Sequence, residues 1–191
     1  MAFRILAFTL PLASALLAPA LLAWRPGWKA ASIGHAALCA PVLVAGLVAG
    51  AGAGTILGVL LLSTAFALLA TGLHLAAGQV ASGLVSCLLT ATVIVAPQVV
   101  EEAMDRNDAA AFRSRIGALV AVNPWAVMAG SLFGLDIFRE MPTLYRGHLA
   151  DYPAPPTPAW PGVATAYALT GVLLGAEAMT ARKLRKPKSD S

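Results

Sequence analysis

Apolar residues occupy long, nearly unbroken blocks along this chain, and polar residues collect between the blocks instead of recurring on one face of each. Five blocks, at about 5–23, 33–50, 55–75, 80–100 and 162–179, are each close to twenty residues long. That is the length an α-helix needs to cross a hydrocarbon core. A helix that is apolar all round belongs in lipid or in a very large core, and a chain of 191 residues is too short to build such a core. The pattern therefore predicts an all-α fold, a polytopic bundle of transmembrane helices.

The connections support this. The first block closes in Trp24-Arg25-Pro26-Gly27-Trp28-Lys29, where Trp suits the lipid–water interface and the cations suit its polar side. Arg4, an apolar stretch and the small-residue patterns Ala13-Ser14-Ala15 and Ala18-Pro19-Ala20 also fit a cleaved signal peptide. The basic Trp-rich turn and second span that follow at once favour a retained helix. Gly50-Ala51-Gly52-Ala53-Gly54 reads as a turn. The polar break at 74–79 is so short that the helices around it must be antiparallel neighbours.

Beyond residue 100 the character changes. Segment 101–115 mixes acidic and basic residues, as an interfacial amphipathic segment would. Segment 116–133 is moderately apolar but carries Asn123-Pro124-Trp125 at its centre. Pro124 lacks a backbone donor and disfavours helical geometry at Asn123, so a re-entrant hairpin is expected there. Segment 134–160 is polar and proline-rich and reads as an extramembrane loop. Residues 180–191 form a basic tail, and 1–188 a single membrane domain.

Two topologies follow. A re-entrant 116–133 leaves five spans with the N-terminus outside. Arg25, Lys29 and the five basic residues of the tail are then cytoplasmic, against six outside. A spanning 116–133 makes six, and puts nine of the thirteen basic residues inside. The positive-inside rule prefers six, although acidic residues near the cations weaken it here.

Composition agrees with the pattern. The chain is 59% hydrophobic and 12% charged, with a mean hydropathy of +0.77; soluble domains are roughly half apolar and about a quarter charged. The net charge of +4 does not point to nucleic acid, because the cations neither interleave with aromatics nor form a helical stripe. Five of them, Arg182, Lys183, Arg185, Lys186 and Lys188, follow the last span and read as a membrane anchor drawn to anionic lipid.

Candidate chemistry is sparse. Cys39 and Cys87 lie within apolar blocks and read as small buried residues. His35, His74 and His148 lack metal-ligand spacing, although an intramembrane histidine is a functional candidate in itself. Glu101 and Glu102 are adjacent and cannot share a helix face. Glu177 lies deep in the last span, with Arg182 and Lys183 close by as local ion partners. Neither a phosphate-binding Gly-rich loop with its lysine nor a nucleophile elbow is present. No catalytic residue, metal or cofactor is expected.

Several features in order give the second half a resemblance to the C-terminal part of an ABC-2-type transporter permease. These are the antiparallel pair 55–75 and 80–100, an amphipathic segment leading into Val120-Ala121-Val122-Asn123-Pro124-Trp125-Ala126, a loop with Leu144-Tyr145 and Pro158-Ala159-Trp160-Pro161, and a final span closing in Arg182-Lys183-Leu184-Arg185-Lys186. The resemblance covers roughly 55–188, and its order is more specific than any one motif. It implies five spans with Asn123, Pro124 and Trp125 in an extracellular re-entrant hairpin. It also implies a cytoplasmic coupling segment with Arg25, Trp28 and Lys29, docking a separate ATP-binding subunit. The remaining implications are a second permease copy or paralogue, a bacterial inner (plasma) membrane and a cytoplasmic C-terminus. The chain departs from the family in lacking its first span. An accessory or scaffold subunit of a larger membrane complex is the alternative.

Overall fold

The computed structural model describes residues 2–24, 28–89, 91, 117–118, 121–135 and 157–185. All the regular structure among them is helical. Helix α1 is Ala2–Trp24, α2 is Trp28–Val48, α3 is Ala53–Ala77, α4 is Gln79–Leu89, α5 is the single turn Pro124–Val127, and α6 is Trp160–Arg185. A π-helical turn, Met128–Leu132, continues α5. Four of the helices, α1, α2, α3 and α6, are long and apolar enough to cross a bilayer. The chain is thus an all-helical bundle with the character of an integral membrane protein.

Two boundaries differ from the apolar blocks. Helix α2 starts at Trp28, ahead of the block at 33–50, and α6 runs through the basic residues to Arg185. Hydrogen bonding along the backbone does not stop where side chains turn polar, so a helix outlasts its apolar block. Much of the fourth expected span, all of 101–115 and most of the 134–160 loop lie outside the described residues.

Helix α3 is the centre. Of its most apolar stretch 67% is buried, against 39% for α1, 22% for α6 and 17% for α2. Its buried positions run round the helix, from Ile56, Val59 and Leu62 to Phe66, Leu69 and Ala70. Helix α1 buries Phe3, Ala7, Leu10, Ser14 and Ala18, spaced three or four apart as one helical face requires. Pro11 and Pro19 are buried inside this helix, in an environment where neighbouring helices help to re-satisfy freed backbone groups.

Phe3, Gly46 and Ile56 meet, so the start of α1, the end of α2 and the start of α3 share one end of the bundle. Leu17 and Leu21 flank Gly34, as antiparallel α1 and α2 demand. Trp160 lies beside Gly58, and Arg182 reaches Leu75. Helices α1, α3 and α6 are therefore parallel, with α2 antiparallel to them.

The tightest contact joins α3 to α6. A Cβ added at Gly72 would lie 2.2 Å from the Gly171 carbonyl oxygen, and one added at Gly171 would lie 2.4 Å from that of Leu68. Helix association in lipid depends on close packing, and small residues allow the backbones to approach. On α6 the buried stripe Ala164, Tyr167, Gly171, Gly175 faces α3, while Leu169, Val172 and Leu173 face outward.

Gly72→Ala or Gly171→Ala should therefore destabilise the bundle by about 1–3 kcal/mol, the usual cost of overpacking. Gly54→Ala, where an added Cβ meets nothing, should be neutral or slightly stabilising. Unfolding by SDS from mixed micelles would measure the difference.

Candidate functional site

The most constrained polar arrangement is at the start of α5. Pro124 occupies the first helical position, and Asn123 before it is extended at φ −95, ψ 120. A helix start leaves several N–H groups without internal partners, which is costly in an apolar interior. Here the first helical residues are accounted for. Pro124 has no N–H, Asn123 Oδ1 accepts from Trp125 N at 2.9 Å and Ala126 N at 3.0 Å, and Val127 N donates to Asn123 O at 3.0 Å.

The other side of the same amide leaves the turn. Asn123 Nδ2 donates to Leu89 O at 2.5 Å, at the last residue of α4. Tyr167 Oη of α6 donates to Val122 O. Asn123 is fully buried, so one side chain caps α5 and joins it to α4, while the neighbouring carbonyl ties it to α6.

From there the short helix climbs toward the end of the bundle that holds Phe3. Ser131 Oγ accepts from Trp160 N at 3.0 Å. Leu132 packs at Gly58, and Thr157 at Gly130. Phe133 meets Phe3 and Phe8 with ring centroids 5.8 and 5.7 Å away, and Arg4 stands 5.9 Å over its ring. Leu135 N donates to Ala129 O at 2.9 Å beyond Gly134, whose φ of 62 suits glycine at a helix end.

A second polar group joins α2 to α3. His35 Nε2 is 2.8 Å from Thr64 Oγ1 and 3.4 Å from Cys39 Sγ. Thr64 Oγ1 donates to Leu60 O at 2.7 Å. The single hydroxyl proton is then committed, so Nε2 carries the hydrogen and donates to Thr64. Nδ1 is left as a buried acceptor with no partner among the described residues.

Of the expected site residues, Asn123, Pro124 and Trp125 form the turn just described; Trp125 Nε1 is buried without a partner among the described residues. Arg25 and Lys186 lie outside the described residues. Trp28 opens α2, and Lys29 is exposed on its first turn. Lys29 and Arg182 share the end of the bundle opposite Phe3, and Lys183 and Arg185 extend α6 at that end. His74 lies in the last turn of α3, its carbonyl accepting from Gly78 N at 2.9 Å. Glu101, Glu102 and His148 lie outside the described residues.

The His35–Thr64 pair was not expected. Its signal was present, since both are polar residues within apolar blocks at comparable distances from the turn at Gly50. Among the described residues no three His, Cys, Asp or Glu side chains cluster as a metal site would require. These polar groups hold helices and backbone together. No known protein family, curated protein or solved structure matches the chain.

Asn123→Ala removes the donor to Leu89 O and the acceptor of two α5 amides, and should cost about 1–3 kcal/mol for each buried group left unpaired. Tyr167→Phe removes one bond and should cost closer to ~0.6 kcal/mol, the average for hydrogen bonds between membrane helices. The same SDS titration ranks the two.

Proposed function

We propose that this chain is a membrane permease subunit of an ABC-type transporter, moving its substrate with ATP hydrolysed by a separate subunit. The observation that carries this reading is the broken half-helix starting at Asn123. It begins beside Tyr167 and Leu89, inside the bundle, and ends beside Phe3 and Trp160. At 1.5 Å per residue, Pro124–Leu132 is only about 12 Å long, less than half of a hydrocarbon core. Irregular backbone at membrane depth is tolerated only where it is buried in protein or lines a cavity. This favours a re-entrant segment, as in the permease family that the second half resembles.

Helix directions support the same topology. The start of α1 and the end of α6 lie at opposite ends of the bundle, which agrees with five spans and a C-terminus facing the cytoplasm of a bacterial inner membrane. Trp24, Lys29 and Arg182 then face the ATPase side. Binding of that partner near Arg25, Trp28 and Lys29 would bias the bundle between two arrangements through its differential affinity for them. A second permease copy or paralogue would complete the translocation path.

In a chain with Cys39 and Cys87 replaced, single cysteines at Ala2 and Ser191 should differ in labelling by an impermeant maleimide. Labelling of Ala2→Cys alone in intact cells agrees with five spans, and equal protection of both positions with six.

Mild-detergent purification of the tagged chain should bring down an ATP-binding subunit with vanadate-sensitive hydrolysis. Reversing the charges of Arg25 and Lys29 should weaken that capture by about tenfold, or roughly 1.4 kcal/mol. Capture of a cofactor-bearing complex without ATPase activity would overturn the transporter reading in favour of an accessory subunit.

A further inference from the structure

At the end of the bundle opposite Phe3, the crossing of α3 and α6 leaves a cleft that neither helix fills. Its volume is about 380 Å³, and its walls include Leu75 and Ala76 of α3 and Leu174, Glu177, Ala178 and Arg182 of α6. Counted from Trp160 at 1.5 Å per residue, Glu177 lies ~25 Å and the Arg182 backbone ~33 Å along α6. With a hydrocarbon core of about 30 Å, the cleft spans the boundary between acyl chains and headgroups.

Arginine near the end of a membrane helix ordinarily extends outward to water. Arg182 instead turns back, donating from Nη2 to Leu75 O at 3.3 Å. Leu75 is level with Gly175, where an added Cβ would lie 3.6 Å from Leu75 Cδ1. The guanidinium is therefore drawn to about the depth of Glu177. Yet no ion pair joins the two. One cleft thus presents a carboxylate and a guanidinium at similar depth, both unneutralised by each other, between apolar walls.

The geometry points to a binding site for an aminophospholipid, whose primary ammonium meets Glu177 and whose phosphate meets Arg182. The headgroup dipole lies flat across the cleft, with its acyl chains against the apolar surface beneath. An anionic lipid without an ammonium would satisfy only Arg182 and bring its charge close to Glu177. A quaternary choline has no N–H to donate to the carboxylate. This assignment is independent of whether the chain is a transporter subunit.

Native mass spectrometry of the full chain would test it, with equimolar phosphatidylethanolamine, phosphatidylcholine and phosphatidylglycerol of identical acyl chains. Phosphatidylethanolamine should be retained several-fold over the other two. Glu177→Gln should reduce its retention to that of phosphatidylcholine, and Arg182→Gln should lower both. Equal retention of all three by the unaltered chain overturns the assignment. So does a preference for phosphatidylglycerol, which would mark a purely basic anchor, or an ethanolamine preference that survives in Glu177→Gln. The comparison within the unaltered chain does not depend on either variant folding.

Discussion

The backbones of α3 and α6 approach so closely at Gly72 and Gly171 that neither position has room for a side chain. Lipid surrounds such helices with surface as apolar as their own, so burial of leucine supplies little reason for them to associate. Contact distance decides instead, because dispersion between surfaces falls steeply with a gap. Once α3 and α6 meet at this crossing, Trp160 is beside Gly58 and Tyr167 beside Phe66, where their rings lie 5.4 Å apart. The positions of α5, the π-helical turn and the cleft at Glu177 all depend on that alignment.

The second requirement concerns polar backbone. A helix that starts inside the bundle must find partners for its open end within the protein, and Asn123 supplies most of them with one amide. Its oxygen and nitrogen face in different directions, so the same residue completes α5 and reaches α4. Asp in its place could accept but not donate to Leu89. Serine is too short to accept at the helix start and reach α4 together. With the Val122 carbonyl bound by Tyr167, positions 122 and 123 form a joint among α4, α5 and α6, and movement of α5 would require exchanging several hydrogen bonds at once.

The periphery is held differently. Helix α2 buries little of its surface, exposes Ile33, Val44, Leu47 and Val48, and is tied to α3 by the His35–Thr64 bond. Beside it an apolar groove of about 700 Å³ opens between Phe3 of α1 and Ala37, Pro41 and Val44 of α2. Loosely packed elements open at lower free energy, so α2, with 17% of its most apolar stretch buried against 67% for α3, should exchange its contacts more readily than the centre.

Much of this architecture is local and could be read along the chain. Apolar blocks of near-spanning length record transfer free energies residue by residue, and these define the membrane class, the helical fold and the approximate position of four long helices. Pro124 likewise marks a break, because its missing N–H and its effect on Asn123 are properties of two adjacent residues. The partners of that break are another matter. Leu89 and Tyr167 reach it from α4 and α6, and nothing in a linear pattern distinguishes Gly72 from the glycines that touch nothing. The inward turn of Arg182 is equally non-local: a basic residue after an apolar block suggests an outward anchor, while the Leu75 carbonyl that draws it back lies on another helix. Sequence alone determined which segments prefer lipid. Tertiary structure decided which glycines meet, which carbonyls find donors and which charges share a cleft, because each depends on the register between segments far apart in the chain.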